Sequence, residues 1–325
     1  MKIIKPYITP MNDFDSLEEK IEMCGKVCYK SEDNVKEGSA KNFIKKIIKR
    51  GHESVLEHGN IIFKNEQCYS SFRCTDFINW SFNKKGEEIV SGNIRAWRDL
   101  IKNYSFSNLP NLFIILKNKY SIFFEDLLTE DFFKNKRIYG DWEEVTDYSD
   151  FTKEEKLTHL THTIKFTTDR AIANEIVRHR LGSYSQESTR YCNYNLGKFG
   201  EELTFIEPIG IDKNSSICNL FKEEFDYNNW KSIMALIEQN YLAMIQEGER
   251  PEIARDILPM SLKTELVTTY TLKDWRHFFE LRCDEHAHPQ IRLVAYYALV
   301  DLYTSYPDCF KDLFDKYTME VRFNV

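Results

Sequence analysis

Glycine and proline are scarce, at 12 and 8 of 325 residues, which excludes collagenous and low-complexity architectures. No apolar run reaches the roughly 18 residues that a transmembrane helix needs, so no membrane span is expected. The opening MKIIKP lacks a long apolar stretch and a small-residue cleavage site, so no signal peptide is expected either. Basic charge is also short: 44 Lys and Arg stand against 51 Asp and Glu, a net charge of −7. A protein that grips duplex DNA over a wide face is usually basic, so general nucleic-acid binding is disfavoured, although a local basic pocket stays open. No CxxC pair occurs among the cysteines at 24, 28, 68, 74, 192, 218, 283 and 309. That spacing argues against structural zinc, and reduced thiols in a cytoplasmic protein are the simple expectation.

What is present is an ordinary globular mixture, 42% hydrophobic and 29% charged, long enough to bury a core unaided. Such a length allows one large domain or two ordinary ones. Helices are predicted over 16–30, with Ser16 or Asp15 as cap, and over 39–50, capped by Ser39 and ended by Gly51. A strand follows at 60–64. Within 66–158 a helix is predicted near 92–103, and the acidic stretch 140–156 reads as a surface loop. Residues 160–168 alternate as a strand does, and 170–181 read as a helix with Leu181 on or near its buried stripe. Further on come helices at 229–246, 251–257, 272–282 and 289–305 and a strand at 263–270. Neither βαβ alternation nor a GxGxxG turn occurs, so an α+β class with an antiparallel sheet and flanking helices is the better fit.

Four clusters carry chemistry. The densest runs from Arg178 to Tyr191, with Arg178, His179, Arg180 and Arg190 among three serines. Guanidinium forks with hydroxyls beside them suit a phosphate or carboxylate. A solvated basic helix end would have the same composition. The second, HESVLEH over 52–58, does not match HExxH, and hydrogen-bonded histidines at a helix–strand junction explain it better than a metal. The third, Arg282 to Gln290, contains His286 and His288 beside Asp284 and Glu285, and Pro289 marks it as a tight connection between helices. The fourth holds Glu252 and Arg255, for which a surface ion pair is the default.

In this order the clusters closely resemble the flavin-dependent thymidylate synthases. The hallmark RHR, seven residues, then Ser is met by Arg178-His179-Arg180 and Ser188, with Arg190 and Tyr191 following. HExxxEH stands at 52–58, ARxxLP at 254–259 and LRxxxHAxxxIR at 281–292. Ser185, Gln186, Thr271 and Lys273 depart from residues common in the family. About a hundred residues, 66–158, form an insertion that compact members lack, within a single domain 1–325.

The resemblance implies a specific reaction: methylation of dUMP to dTMP, with methylenetetrahydrofolate as carbon donor and FAD, reduced by NADPH, as hydride carrier. It implies a homotetramer whose sites draw on more than one subunit. Ser54, Arg178, His179, Arg180, Gln186, Lys273 and His277 would lie against FAD. Glu175, Arg178, Gln186, Glu187, Ser188, Arg190 and Arg255 would hold dUMP, and Arg282, on the uracil edge, would be catalytic. Arg282 is always protonated and suits stabilisation of charge spread into the ring. No metal is implied. Two other readings stay open: a catalytically degenerate flavin- or nucleotide-binding member, and a metal-dependent hydrolase built on His52, His58, His286 and His288. A yellow, flavin-bearing protein would separate the last from the others.

Overall fold

The segment KTELVTTYT is rich in β-branched residues, and in the computed structural model it is the nine-residue strand Lys263–Thr271 on which the main sheet is built. The structure describes residues 1–66, 77–103, 108–190, 202–209, 217–218, 224–225 and 227–321. Eight strands position the site: β1 (Tyr7–Pro10), β2 (Asn60–Asn65), β3 (Ile78–Phe82), β4 (Glu88–Asn93), β5 (Trp142–Glu144), β6 (Thr161–Asp169), β7 (Ser183–Gln186) and β8 (Lys263–Thr271). They form two antiparallel sheets of four, ordered β7-β8-β6-β1 and β3-β4-β2-β5. The principal helices are α1 (Leu17–Val27), α2 (Ser39–Lys49), α3 (Ile94–Asn103), α4 (Leu112–Lys119), α5 (Lys153–His159), α6 (Arg170–Ile176), α7 (Tyr227–Gln246), α8 (Leu272–Arg282), α9 (Pro289–Ser305) and α10 (Pro307–Val321). This is the expected α+β class with antiparallel sheets. Among the described residues no helix is long and apolar enough to cross a membrane.

The period of two on β6 and β8 sends Ile164, Phe166, Leu266 and Tyr270 into the main core, where they meet α6, α8 and α9. The other face carries Thr163, Lys165, Glu265 and Thr269, and it is covered as well, by α1 and the 3-10 turn Glu53–His58. Polar side chains buried there need partners. These four find them in two networks, one of hydroxyls around His58 and one of lysines around Glu265.

Several boundaries differ from expectation. Gly38, at φ 75, caps α2, and the Ser39 hydroxyl donates to Glu22 at 2.7–2.8 Å. Residues 92–93 end a strand before α3 begins. The stretch 140–156 is not a plain loop. Trp142, 2% exposed, is carried into the interior on β5, and Thr152 and Glu155 form a capping box that starts α5. The core beneath the second sheet joins Ile21, Ile44 and Leu56 to Trp97, Phe113 and Phe123, so residues within 66–158 share their interior with α1 and α2. A polar bridge links the two regions: the His159 nitrogens lie 2.8 Å from the Ser81 and Ser91 hydroxyls, and Asn60 donates to the His159 carbonyl.

Candidate functional site

The helix expected over 170–181 stops at Ile176. Asp169 caps its start by accepting from the Ile172 amide. At its end the Tyr184 hydroxyl, reaching back from β7, donates to the carbonyls of Ile176 and His179 at 3.1 and 2.6 Å. A tertiary hydroxyl therefore takes carbonyls that another helical turn would have used. Arg178, His179 and Arg180 lie on a turn, and Leu181, expected near the buried stripe, is 46% exposed. Gly182 packs so tightly that a Cβ there would sit 2.1 Å from the Tyr270 ring.

Arg282 ends α8, the helix predicted with the same limits, and folds back onto this turn. Its Nε donates to His179 Nε2 at 2.8 Å, Nη1 to a Glu175 carboxylate oxygen at 2.7 Å, and Nη2 to the Glu175 carbonyl at 3.4 Å. An arginine has five N–H donors, so three are engaged and two remain. His179 accepts and is therefore neutral at Nε2. Its burial, then the nearby Arg282 and His277, lower its pKa to about 4. The Phe278 ring closes one side, 4.9 Å from the imidazole centroid. His277 lies 6.5 Å from His179, ring to ring, and is exposed, as is Lys273 one turn earlier. Arg178, Arg180 and Lys273 have no side-chain hydrogen bond or ion pair among the described residues. Three cations without an ion pair among the described residues thus stand near a neutral histidine and a fixed guanidinium.

The other candidates gather at the far end of β7. Ser183 pairs with Thr269 and Gln186 with Leu266 on β8, so Gln186, Ser188 and Arg190 lie toward the start of β8 while α8 leaves its end. Gln186 donates to the Thr264 hydroxyl at 3.3 Å. Ser188 is anchored through its amide to the Cys28 carbonyl, and its hydroxyl accepts from the Arg190 amide. Arg190 is exposed and lies 3.4 Å from Glu252, three residues before the exposed Arg255. The Glu187 carboxylate is 1% exposed and ion-paired with Lys263 at 2.8 Å, so its side chain holds the strand in place. From Gly182 to Ser188 an extended chain covers about 20 Å at roughly 3.3 Å per residue. One protomer therefore presents Arg282 and the pair Ser188–Arg190 at opposite ends of β7.

Between them lies a link that sequence reasoning placed only at a helix–strand junction. The buried His58 sits with Nδ1 2.8 Å from the Thr269 hydroxyl and Nε2 2.9 Å from the Ser185 hydroxyl. Burial lowers its pKa to about 3. Ser54 is exposed on the same 3-10 turn. Phe77, Asn79 and Asn93, from the stretch not foreseen to take part, line a small cavity together with Leu181, Ser183 and Asp274. Nothing in the sequence signalled this approach, because it depends on how β3 and β4 dock. His286 pairs with Asp284 and His58 is committed to hydroxyls, and no group of three or more candidate metal ligands occurs among the described residues. Burial raises the Cys28 thiol pKa, and Cys68, Cys74, Cys192 and Tyr191 lie outside the described residues.

A family profile described as thymidylate synthase complementing protein matches residues 11–75 and 145–308, well over half of the chain. A flavin-dependent thymidylate synthase from Pyrococcus furiosus is 35% identical over 147 residues, 45% of this chain and 56% of that protein. One from Mycobacterium sp. strain KMS is 29% identical over 153 residues, 44% of this chain and 58% of that protein. The chain thus spans little more than half the length of the curated relatives it matches. A solved UMP/dUMP methylase from Streptomyces cacaoi aligns over 94% of this chain and 93% of its own, at 14% identity and a TM-score of 0.38.

Proposed function

The chain belongs to the thymidylate synthase complementing protein family, and from that membership we propose that it methylates dUMP to dTMP, with methylenetetrahydrofolate as carbon donor and FAD, reduced by NADPH, as hydride carrier. The observation that carries the proposal is the folding of Arg282 onto the RHR turn, with Glu175 and His179 fixing its fork. The family hallmark and the LRxxxHAxxxIR motif, a hundred residues apart, meet in one place.

The donor set fits a flavin dinucleotide. Arg178, Arg180 and Lys273 are cations without ion-pair partners among the described residues, suited to a diphosphate, and Ser54, His179, Gln186 and His277 complete the proposed holders. When bound, that group supplies the hydride. The chain supplies position and charge. The two free N–H donors of Arg282 match acceptors on a uracil edge, and its cation is fixed before the reaction starts, which favours negative charge spread into the ring. Neutral His179 keeps that guanidinium in place without competing for charge. Glu175 and Arg178 belong to the same group of nucleotide-binding residues. Ser188, Arg190, Arg255 and Gln186 suit the phosphate end of dUMP. They lie toward the opposite end of β7 from Arg282 of the same protomer, which supports sites completed by a second subunit within a homotetramer. The stretch 66–158 is proposed as a family-variable insertion within the single domain 1–325.

The test is direct. Purified protein with FAD, NADPH and methylenetetrahydrofolate is expected to convert dUMP to dTMP. A protein that binds flavin and dUMP but forms no dTMP would mark a degenerate member and overturn the proposal.

A further inference from the structure

The small cavity beside the RHR turn, about 60 Å³ in volume, is walled by four parts of the chain. Leu181 and Ser183 follow directly on Arg180, and Thr271 and Asp274 flank Lys273. Glu57 comes from the 3-10 turn that carries Ser54. The fourth wall, Phe77, Asn79 and Asn93, comes from the stretch 66–158. Neighbours of Arg180, Lys273 and Ser54, three of the proposed flavin holders, thus meet that stretch around one notch. Its volume is far below the roughly 300 Å³ at which complete small-molecule pockets begin. A ligand held beside it can lay only one substituent inside.

The walls say which substituent. Asn79 and Ser81 on β3 share one face of the second sheet with Ser91 and Asn93 on β4. Three of these four are committed within the protein. The Ser81 and Ser91 hydroxyls pair with His159, and Asn93 Oδ1 accepts from the Ala96 amide at 2.8 Å, where α3 starts. Asn79 has no side-chain hydrogen bond among the described residues, and neither has Ser183. In the same walls Asp274 keeps one carboxylate oxygen, because the Thr271 hydroxyl donates to the other at 2.6 Å. An amide that can donate and a carboxylate that only accepts are matched by a group with both capacities, and a hydroxyl is such a group. Leu181 and Phe77, 46% and 37% exposed, add apolar surface for the carbon chain that would carry it.

We propose that Asn79 and Phe77 are flavin-binding residues supplied by the stretch 66–158, and that the notch takes a hydroxyl of the dinucleotide, from its ribityl chain or its ribose. The hydroxyl donates to Asp274 and accepts from the Asn79 amide, while Phe77 packs on the adjoining carbons. The inference rests on the flavin reading above and extends it to residues that compact members of the family lack.

Titrations of FAD into the full-chain protein, followed by flavin fluorescence, test it. Asn79→Leu keeps the side chain's bulk and removes its amide. It should weaken FAD binding about fivefold or more, toward the upper part of the range for a lost hydrogen bond. Phe77→Ala should weaken it about threefold, and because that side chain is exposed it decides alone if Asn79→Leu fails to fold. Ser81→Ala, on the same face but committed to His159, separates contact from packing: it should lower the melting temperature and leave FAD affinity unchanged. FMN, which has the ribityl chain and no ribose, identifies the source. A loss shared by FMN assigns the ribityl chain, and a loss confined to FAD assigns the ribose. If the parent binds FAD and the folded variants bind it as tightly, or if Ser81→Ala costs as much affinity as Asn79→Leu, the inference is overturned while the flavin reading stands. A parent that binds no FAD overturns both.

Discussion

The Arg282 guanidinium and the Glu175 carboxylate meet at 2.7 Å although 107 residues separate them in the chain. Neither motif alone explains the contact. It exists because α6 stops at Ile176 and α8 delivers its last side chain to that turn. A charge that merely settled a helix C-terminus would be worth about 0.3–1 kcal/mol. Arg282→Ala is instead expected to lower dTMP formation by roughly a hundredfold or more, as when a preorganised donor is lost, while FAD reduction by NADPH persists. Arg282→Lys should also be impaired, since an ammonium cannot reproduce the planar fork. Near-normal turnover in either variant would sink the assignment.

Ser188→Ala and Arg190→Ala are expected to weaken dUMP binding more than flavin binding. Loss of a charge-assisted contact typically costs about 1.5–3 kcal/mol, and the Arg190 value should fall at the low end because the side chain is exposed. Parallel titrations with the two ligands measure the difference. Equal losses would place these residues elsewhere than at the phosphate.

Separation along β7 makes a prediction about assembly. If each site takes Arg282 from one chain and Arg190 from another, mixing the inactive Arg282→Ala and Arg190→Ala proteins under exchange conditions should restore part of the activity. Some mixed sites then carry both wild-type arginines. Mixtures no more active than their components, with subunit exchange verified, would show that one chain completes the site.

Acid should destabilise the fold through its buried histidines. Unfolded histidines titrate near 6.5, whereas burial lowers His159 to about 4 and His58 to about 3. Between those limits the unfolded chain binds more protons, so stability is full above pH 6.5 and is lost as pH falls. For His159 the loss is at most roughly 3 kcal/mol. Melting temperatures from pH 7 to pH 4 should show the decline, and His159→Gln should flatten it. An unchanged slope in that variant would mean that other groups govern the acid limb.

Gly182→Ala should cost stability and turnover together. The added Cβ meets Tyr270 at 2.1 Å and, at 2.6 Å, the Tyr184 hydroxyl that donates to the His179 carbonyl. Overpacking of this kind costs about 1–3 kcal/mol. Thermal melts and dUMP turnover would read both effects, and a variant as stable and active as the parent would contradict them.

The legible parts of the fold were those with strong local punctuation. Thr271 accepts from the Asp274 amide and starts α8, Pro289 begins α9, and the run of β-branched residues before α8 forms its nine-residue strand. β7 was not legible, because Ser183, Ser185 and Gln186 are weak strand formers. They extend only because β8 offers a free edge and His58 grips Ser185. The early stop of α6 was hidden for a related reason, since the hydroxyl that caps it comes from Tyr184 on that same strand. At the site, residue identity could nominate Arg282 and Ser188. It could not reveal that Glu187 is buried on Lys263, or that the polar chains of β6 and β8 face a covered layer. Such facts depend on the second element that packs, and α1 and the 3-10 turn lie far away in sequence.

The stretch between the two matched segments has a bearing on any attempt to shorten this protein. Arg98, 1% exposed, joins Glu53 to Asp126, and His159 rests on Ser81 and Ser91. β2 has its ladder partners in β4 and β5. Trimming this stretch to a turn would strand Glu53, beside Ser54, and leave β2 bare along both flanks. A strand stripped in that way recruits other chains. A minimal version of the protein would therefore precipitate before it lost its chemistry, unless the cut were matched by new charges on β2 and a replacement for the guanidinium.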